Sequence, residues 1–323
     1  METGIKLIGL STNPALSQKI ADELHLPLTP ITITRFADGE IYERIMDSIR
    51  GCDVFVISPI GGEVNDSFME IMIAVDALRR ASAKTINVVL PYYGYARQDR
   101  KAKSREPISA KIIASLLEMN GVARVLAVDL HADQLQGFFD IPVDHLYGAP
   151  LLTSYFYNRN ILDNVVVVSP DHTGAGRSRT FAEVLKAPWG VVNDRVASEN
   201  PANPDAIVGD VKGKNVIIVD DIIDSARRMI TTAAAVKAAG ALDVYAVGTH
   251  AVFSNKAEER LAADDNIKSV IVTDTLSVPA DKQFSKLLTL SVAPLLAEAI
   301  KRIHNNQDIG PLLKSKNNPD VKL

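Results

Sequence analysis

Cysteine is almost missing from this chain. Cys52 is the only one in 323 residues, so no internal disulfide can form, and a reducing, cytoplasmic setting is expected. Aromatic residues make up only 6% and tryptophan occurs once. Positive charge is not in excess either: 35 Lys and Arg face 39 Asp and Glu, a formal net charge of −4. A general nucleic-acid binder needs clustered positive charge to neutralise phosphates, so nucleic acid is not expected as a partner. No apolar run approaches the ~18 residues of a membrane span. The opening "METGIKLIGL" lacks the basic start and apolar stretch of an export signal, so neither membrane nor export is expected.

What remains is an ordinary globular composition, 47% hydrophobic and 23% charged, in a chain long enough for two domains. Short Val/Ile-rich runs punctuate it: Asp53–Ser58, Ile86–Pro91, Arg124–Leu130, Asn164–Pro170, Asn215–Asp221, Val244–His250 and Ser269–Asp274. Continuous apolar runs of this length suit strands buried on both faces of a parallel sheet. Helical spacing lies between them. Phe68, Ile71, Val75 and Leu78 follow Asp66, read as an N-cap; Ile108, Ile112 and Leu116 follow Pro107 and stop at Gly121. The βαβα rhythm predicts an α/β fold whose sites lie in strand-end loops. "SIRGCDVFVISPIGG" (Ser48–Gly62) and "DVKGKNVIIVDDIID" (Asp210–Asp224) look alike and precede similar helix–strand units. Any two βα units look somewhat alike; a duplication is the sharper reading, and it places a boundary near Tyr147–Pro150, with domains at 1–148 and 149–323. From about residue 304 the tail is mostly polar and is expected to hug the surface or stay disordered.

Chemistry concentrates at strand ends. In "VIIVDDIIDSARR" two adjacent carboxylates, Asp220 and Asp221, end an apolar run, and a turn with Asp224 and Ser225 leads into a helix. Such carboxylates can accept hydrogen bonds from sugar hydroxyls or hold Mg²⁺, and the helix start offers N–H groups to a phosphate. A merely solvated acidic turn is the plainer reading. Two more acidic strand ends follow the same pattern: Asp129, His131 and Asp133, and Asp171 and His172 before Gly174 and Gly176. Histidine and aspartate from such ends could ligate a divalent cation, or serve as structural hydrogen-bonding groups. The stretch Pro91–Pro107 carries Arg97, Arg100, Lys101, Lys103 and Arg105 behind Tyr92, Tyr93 and Tyr95. It reads as an anion-binding loop with aromatics for nucleotide stacking, or as a solvated charged loop. "RFADGE" (Arg35–Glu40) is a weak signal alone.

Together, "RFADGE", "RRASAKTINVVLPYYGYARQDRK", "SREPISAK", "DLHADQLQGFFDIPVDHL", "VSPDH" and "VDDIID" closely resemble class I ribose-phosphate pyrophosphokinases, in order, from about Lys6 to His304. The resemblance implies two type I phosphoribosyltransferase-like domains. It implies transfer of the diphosphoryl group of ATP to the 1-hydroxyl of ribose 5-phosphate, with Mg²⁺ and release of AMP. By motif match, Phe36, Asp38 and Glu40 meet adenine from a neighbouring subunit, and Arg97, Gln98 and Asp99 surround the nucleotide. His131 and Asp171 hold the metal, while Asp220, Asp221, Asp224 and Ser225 lie in the ribose 5-phosphate loop. Ser48, Arg50, Ser82, Ser104 and Arg105 match a site where phosphate and ADP regulate the family. Assembly is expected as a homo-oligomer, a hexamer built from dimers.

The sequence departs from the family in two loops. Where the family has "DDIIDTAGT" this chain has "DDIIDSARR", so Arg227 stands for glycine and Arg228 for threonine. Where the family has "DKRRP" this chain has "NDRVA" (Asn193–Ala197). The family's catalytic lysine and arginine fall on Asp194 and Val196, leaving Arg195 as the basic residue between them. Thr173, in place of glycine, is a smaller change. The expectations are therefore an active synthetase with impaired turnover or, alternatively, a nucleotide-binding paralogue that regulates or co-assembles with an authentic synthetase. A phosphoribosyltransferase-like binder of another ligand is the third reading, and the intact nucleotide motifs disfavour it.

Overall fold

The computed structural model describes residues 4–157, 159 and 161–314. Two compact units divide the chain. One takes it up to Leu146 and adds Thr275–Ser277 and Val292–Leu313; the other comprises Tyr147–Asp274 and Val278–Ser291.

The first unit runs β1 (Ile5–Gly9), α1 (Pro14–Leu24), β2 (Ile31–Arg35), β3 (Ile41–Ile45), β4 (Asp53–Ile57), α2 (Val64–Arg80), β5 (Thr85–Leu90), α3 (Ser109–Met119), β6 (Arg124–Val128) and β7 (Val143–Leu146). Its sheet is parallel, in the order β1-β4-β5-β6-β7, and β2 and β3 form a separate antiparallel hairpin. The start of α1 shows how local chemistry sets an element. The Asn13 side chain accepts a hydrogen bond from the Leu16 amide, Pro14 pre-sets the first turn, and His25 closes the helix in a left-handed conformation. Two helix readings need correction. Asp66 lies inside the first turn of α2, which begins at Val64. In α3 the buried face is Ala110, Ile113, Ala114 and Leu117, and Ile112 is exposed. The helix begins two residues after Pro107 and is rotated by one position from the expected face.

The second unit continues with α4 (Ala149–Tyr157), β8 (Val165–Ser169), α5 (Ala175–Leu185), β9 (Trp189–Val192), α6 (Asp194–Glu199), β10 (Ile207–Val208), β11 (Asn215–Ile223), α7 (Arg227–Ala238), β12 (Val244–Ala251), α8 (Ala257–Ala263), β13 (Ser269–Thr273) and β14 (Leu287–Leu290). The order is β10-β9-β8-β11-β12-β13-β14, parallel except for β10 on β9. Alternate residues serve opposite faces. Val166, Val168, Val216, Ile218, Ala246 and Val270 pack on one side; Val167, Ile217, Val219, Val247 and Ile271 pack on the other, with Phe156 at edge-on contact with Phe181 and Tyr245. A sheet covered on both faces explains why these strands read as unbroken apolar runs. The order also reverses between β8 and β11. Strand β9 lies on one side of β8 and β11 on the other, which makes the crevice at their C-terminal ends a topological switch point.

The chain then forms α9 (Ala293–His304) and α10 (Gly310–Lys314). Helix α9 packs on α1, and the His304 ring lies 3.1 Å from the Asp53 carboxylate, so this segment belongs to the first unit. Leu312 is buried, so the polar-looking tail is anchored as far as α10; the rest of it lies outside the described residues. No described helix is long and apolar enough to cross a membrane.

Candidate active site

In the first unit, "RFADGE" is the tip of the β2–β3 hairpin. Gly39 adopts φ 97°, a conformation open to glycine. The Phe36 amide donates to the Glu40 carbonyl at 2.9 Å, and the Glu40 amide donates to the Asp38 carboxylate at 3.2 Å. Phe36 is 57% exposed and meets Tyr42 edge-on, which leaves a ring face open to solvent. Asp38 and Glu40 are exposed beside it.

The loop after β5 carries the cations. The expected stacking role of its tyrosines is corrected: Tyr92 and Tyr93 are buried, and the Tyr93 hydroxyl donates to the Ala110 carbonyl. Their rings are core, because the loop leaves the sheet through a close approach. A Cβ on Gly94 would lie 2.4 Å from the Ile60 carbonyl oxygen. Tyr95, at φ 63°, hydrogen-bonds to Asn65. Beyond it Arg97, Gln98 and Arg100 are exposed. Ser109 donates to the Gln98 side chain at 2.6 Å, and Gln134 donates to Asp99 at 3.4 Å. Glu106 accepts from the Ala102 and Lys103 amides at 2.9 and 2.8 Å, so the exposed Lys101, Lys103 and Arg105 lie on a structured turn.

His131 follows β6 on a segment that starts at Asp129, where φ is 39°. The sequence did not single out what holds this segment. Buried His145, on β7, accepts the Leu130 amide on Nε2 at 2.9 Å. Its proton therefore sits on Nδ1, 3.6 Å from the Asp133 carboxylate. At the positions expected to be regulatory, Arg50 donates to the Ser82 hydroxyl at 3.0 Å, and Ser82 has φ 66°. Ser48, Ser104 and Arg105 are exposed, and no described contact joins Arg105 to the Arg50–Ser82 pair.

In the second unit the carboxylates gather at the switch point. Asp220 and Asp221 lie inside β11, which runs on to Ile223; the expectation that the strand ends at Asp221 is corrected. Pairing with β8 stops at Ile218, while pairing with β12 continues to Ile223. The carboxylates therefore stand beside the open end of β8. Asp171 follows β8 in a tight turn. Its Oδ1 accepts the Thr173 hydroxyl at 2.7 Å and the Gly174 amide at 2.9 Å, and its Oδ2 lies 2.9 Å from the Arg228 guanidinium. Thr173 thus supplies a hydrogen bond that glycine could not. Burial pushes the Asp171 carboxyl up, but these hydrogen bonds and Arg228 outweigh it and hold it below the ordinary value. Arg177 bridges Asp220 and Asp221 at 3.2 and 3.1 Å, and Arg228 reaches Asp220 at 3.6 Å. Burial, then the neighbouring Asp221 charge, raise Asp220 against both arginines, so the pair shares a proton more readily than an isolated carboxylate would.

The loop that follows is braced. Ser254 donates to Asp224 at 2.5 Å, and Arg260 donates to the Ser225 carbonyl at 2.8 Å. Left-handed backbone falls on Ala226, at φ 61°, rather than on Arg227, which opens α7. Replacing the family's glycine by Arg227 therefore brings no backbone strain at that position. Asp194, Arg195 and Val196 form the first turn of the short helix α6. Arg195 is exposed, its side chain 3.7 Å from Glu199.

A divalent cation finds a fitting oxygen at Asp171. One oxygen fixes the turn and the other already meets a cation, the guanidinium. Among the described residues no group of three His, Cys, Asp or Glu could hold a metal unaided. Mg²⁺ takes one or two carboxylates and completes its shell with water and substrate phosphates, so the Oδ2 of Asp171 is an oxygen of the kind it uses.

Comparison with known proteins adds the family. Residues 5–121 match the model of the N-terminal domain of ribose phosphate pyrophosphokinase, and residues 191–314 match the phosphoribosyl synthetase-associated domain. Ribose-phosphate pyrophosphokinase 2 of Enterococcus faecalis is 50% identical over 97% of this chain and 97% of its own. The Bacillus subtilis ribose-phosphate pyrophosphokinase is 49% identical over 96% of this chain and 98% of its own. The crystal structure of phosphoribosylpyrophosphate synthetase from Mycobacterium smegmatis superposes with a TM-score of 0.88 at 40% identity, covering 94% of this chain and 99% of that one.

Proposed function

The chain belongs to the ribose-phosphate pyrophosphokinase family and is an enzyme of that class; on that premise we propose how its residues divide the reaction. The diphosphoryl group of ATP passes to the 1-hydroxyl of ribose 5-phosphate, and AMP leaves. Such a transfer asks for positioning and charge neutralisation more than for covalent chemistry.

On the nucleotide side, the open face of Phe36 stacks on adenine, with Asp38 and Glu40 accepting from it. Arg97, Gln98 and Asp99 flank the phosphates from a loop whose turn is already hydrogen-bonded. On the sugar side, Asp220 and Asp221 accept the ribose hydroxyls, and the turn of Asp224 and Ser225 leads the 5-phosphate to the amides opening α7. Mg²⁺, when bound, would neutralise phosphate charge; the candidate donors are Asp171 in the second unit and His131 in the first. Ser48, Arg50, Ser82, Ser104 and Arg105 form a phosphate- and ADP-responsive surface, supported by the Arg50–Ser82 hydrogen bond. The observation that carries the reading is the set of three carboxylates at the β8–β11 switch point, where α/β sheets bind ligands.

Turnover is reduced relative to a chain with lysine and arginine at 194 and 196. Arg195 is the remaining catalytic cation, and each missing preorganised donor costs about 10²–10³ in rate. The alternative reading, a nucleotide-binding paralogue that co-assembles with a second synthetase, is favoured by one observation: a guanidinium lies on Asp171 and Asp220. Exposed Phe36, Tyr42, Met46 and Met69 support a homo-oligomer, a hexamer built from dimers. The setting is cytoplasmic, where ATP is available. The test is Asp221→Asn. It should raise KM for ribose 5-phosphate by about tenfold or more, since a hydrogen bond to a charged group is lost, and leave Mg-ADP binding by calorimetry unchanged. Unchanged KM would remove Asp221 from the sugar site.

A further inference from the structure

Asp171 and Asp220 do not face open solvent. The guanidinium of Arg228, on the first turn of α7, lies 2.9 Å from Asp171 Oδ2 and 3.6 Å from Asp220 Oδ2. Arg177 is already committed to Asp220 Oδ1 and Asp221 Oδ1. Arg228 is therefore the one cation among the described residues that pairs with Asp171. The contact falls on the oxygen of Asp171 left over after Thr173 and Gly174 have taken Oδ1, and that oxygen is the one a metal would use.

We propose that Arg228 is a built-in counter-cation that competes with the divalent metal for Asp171. The inference rests on the reading of Asp171 as a metal donor. An arginine cannot shed its charge at any physiological pH, so the carboxylate becomes available only when the side chain moves. Arg228 is half-exposed, with its side chain at the mouth of the cluster, so it can swing into water and there regain hydration. The displacement is inexpensive but not free, and it adds to every metal-binding event. This chain accordingly needs more divalent cation to fill the site than it would with a small uncharged residue at 228. At metal concentrations below that threshold the guanidinium holds Asp171 and Asp220 together and keeps them from other ligands.

The experiment is a Mn²⁺ titration of the whole protein followed by electron paramagnetic resonance, without nucleotide, so that the readout is free and bound metal rather than turnover. Arg228→Gln keeps the length of the side chain and removes its charge. It should tighten Mn²⁺ binding by about fivefold, the scale of a partly exposed ion pair. Arg228→Lys keeps the charge and should stay close to wild type. Asp171→Asn should weaken Mn²⁺ binding in both the wild-type and the Arg228→Gln backgrounds. Equal affinities for wild type and Arg228→Gln, with Asp171→Asn still weakening both, overturn the competition and leave the metal reading standing. The same holds if Arg228→Lys tightens binding as much as Arg228→Gln, because the effect then does not come from charge. If Asp171→Asn changes nothing, or no variant binds Mn²⁺, the placement of the metal at Asp171 falls and the competition falls with it.

Discussion

Replacing Glu43 by glutamine should stabilise the first unit, and by more at high pH than at low pH. Glu43 lies on β3, which packs on α2, and both of its carboxylate oxygens are buried without a hydrogen-bond partner among the described residues. Burial, then the charge of Glu70, push its carboxyl from the ordinary 4.5 up to about 8. The Ser11 hydroxyl and amide donate to Glu70 at 2.7 and 3.3 Å, and Arg35 lies 3.9 Å from it. The sign follows from the folded value lying above the unfolded one. Below 4.5 both states hold the proton and nothing is lost; as pH rises towards about 8, the unfolded chain ionises while the folded chain resists, so the folded state loses stability. Each pH unit in that window removes at most about 1.4 kcal/mol. The side chain is only part-buried, so screening reduces the total to about 2 kcal/mol. Hydrogen exchange read by mass spectrometry on peptides covering 31–45 and 64–80 follows this region directly. Between pH 5 and pH 8, after correction for intrinsic exchange, the Glu43→Gln protein should gain about 2 kcal/mol of protection relative to wild type. A gap between the two proteins that stays constant with pH would refute the argument.

Restoring cations with Asp194→Lys and Val196→Arg should raise kcat by about 10² or more when AMP formation is followed, because two donors return to the transferring group; an unchanged kcat would mean that Arg195 or another basic residue already carries the step. Arg227→Gly with Arg228→Thr should lower KM for ribose 5-phosphate with little change in kcat, and an effect confined to kcat would contradict a sugar-side role for that loop. Gly94→Ala places a Cβ 2.4 Å from the Ile60 carbonyl, and should cost about 1–3 kcal/mol in thermal unfolding while weakening Mg-ADP binding. Phe156→Ala empties the centre of an aromatic cluster in the second unit and should cost about 3–5 kcal/mol in denaturant unfolding followed at Trp189.

All seven apolar runs read in the sequence are strands, because a parallel sheet packed on both faces leaves no polar position to interrupt them. The hairpin β2–β3 was not legible in the same way. "ITITR" and "IYERI" place half-buried residues between exposed ones and lie outside the main sheet. Tyr92 and Tyr93 misled for a different reason: an aromatic beside a charged loop looks the same in sequence whether its ring faces a ligand or the core. Asp220 and Asp221 were legible because adjacent carboxylates at the end of "VIIV" need partners. Those partners were not. Arg177 reaches them from α5, 43 residues before Asp220, and Arg228 reaches Asp220 from the first turn of the helix that follows the same strand. His145 was hidden likewise, since a histidine inside "VDHL" gives no sign that it fixes the backbone ahead of His131.

The most direct test of the account is phosphorus NMR of the protein incubated with ATP, ribose 5-phosphate and Mg²⁺. The two-phosphorus transfer argued here predicts that AMP and a diphosphate ester on the sugar's 1-oxygen appear together in equal amounts, even if turnover is lowered by about 10²–10³. Formation of ADP with a single phosphate on the sugar, or no sugar product at all under conditions where nucleotide is shown to bind, would contradict it.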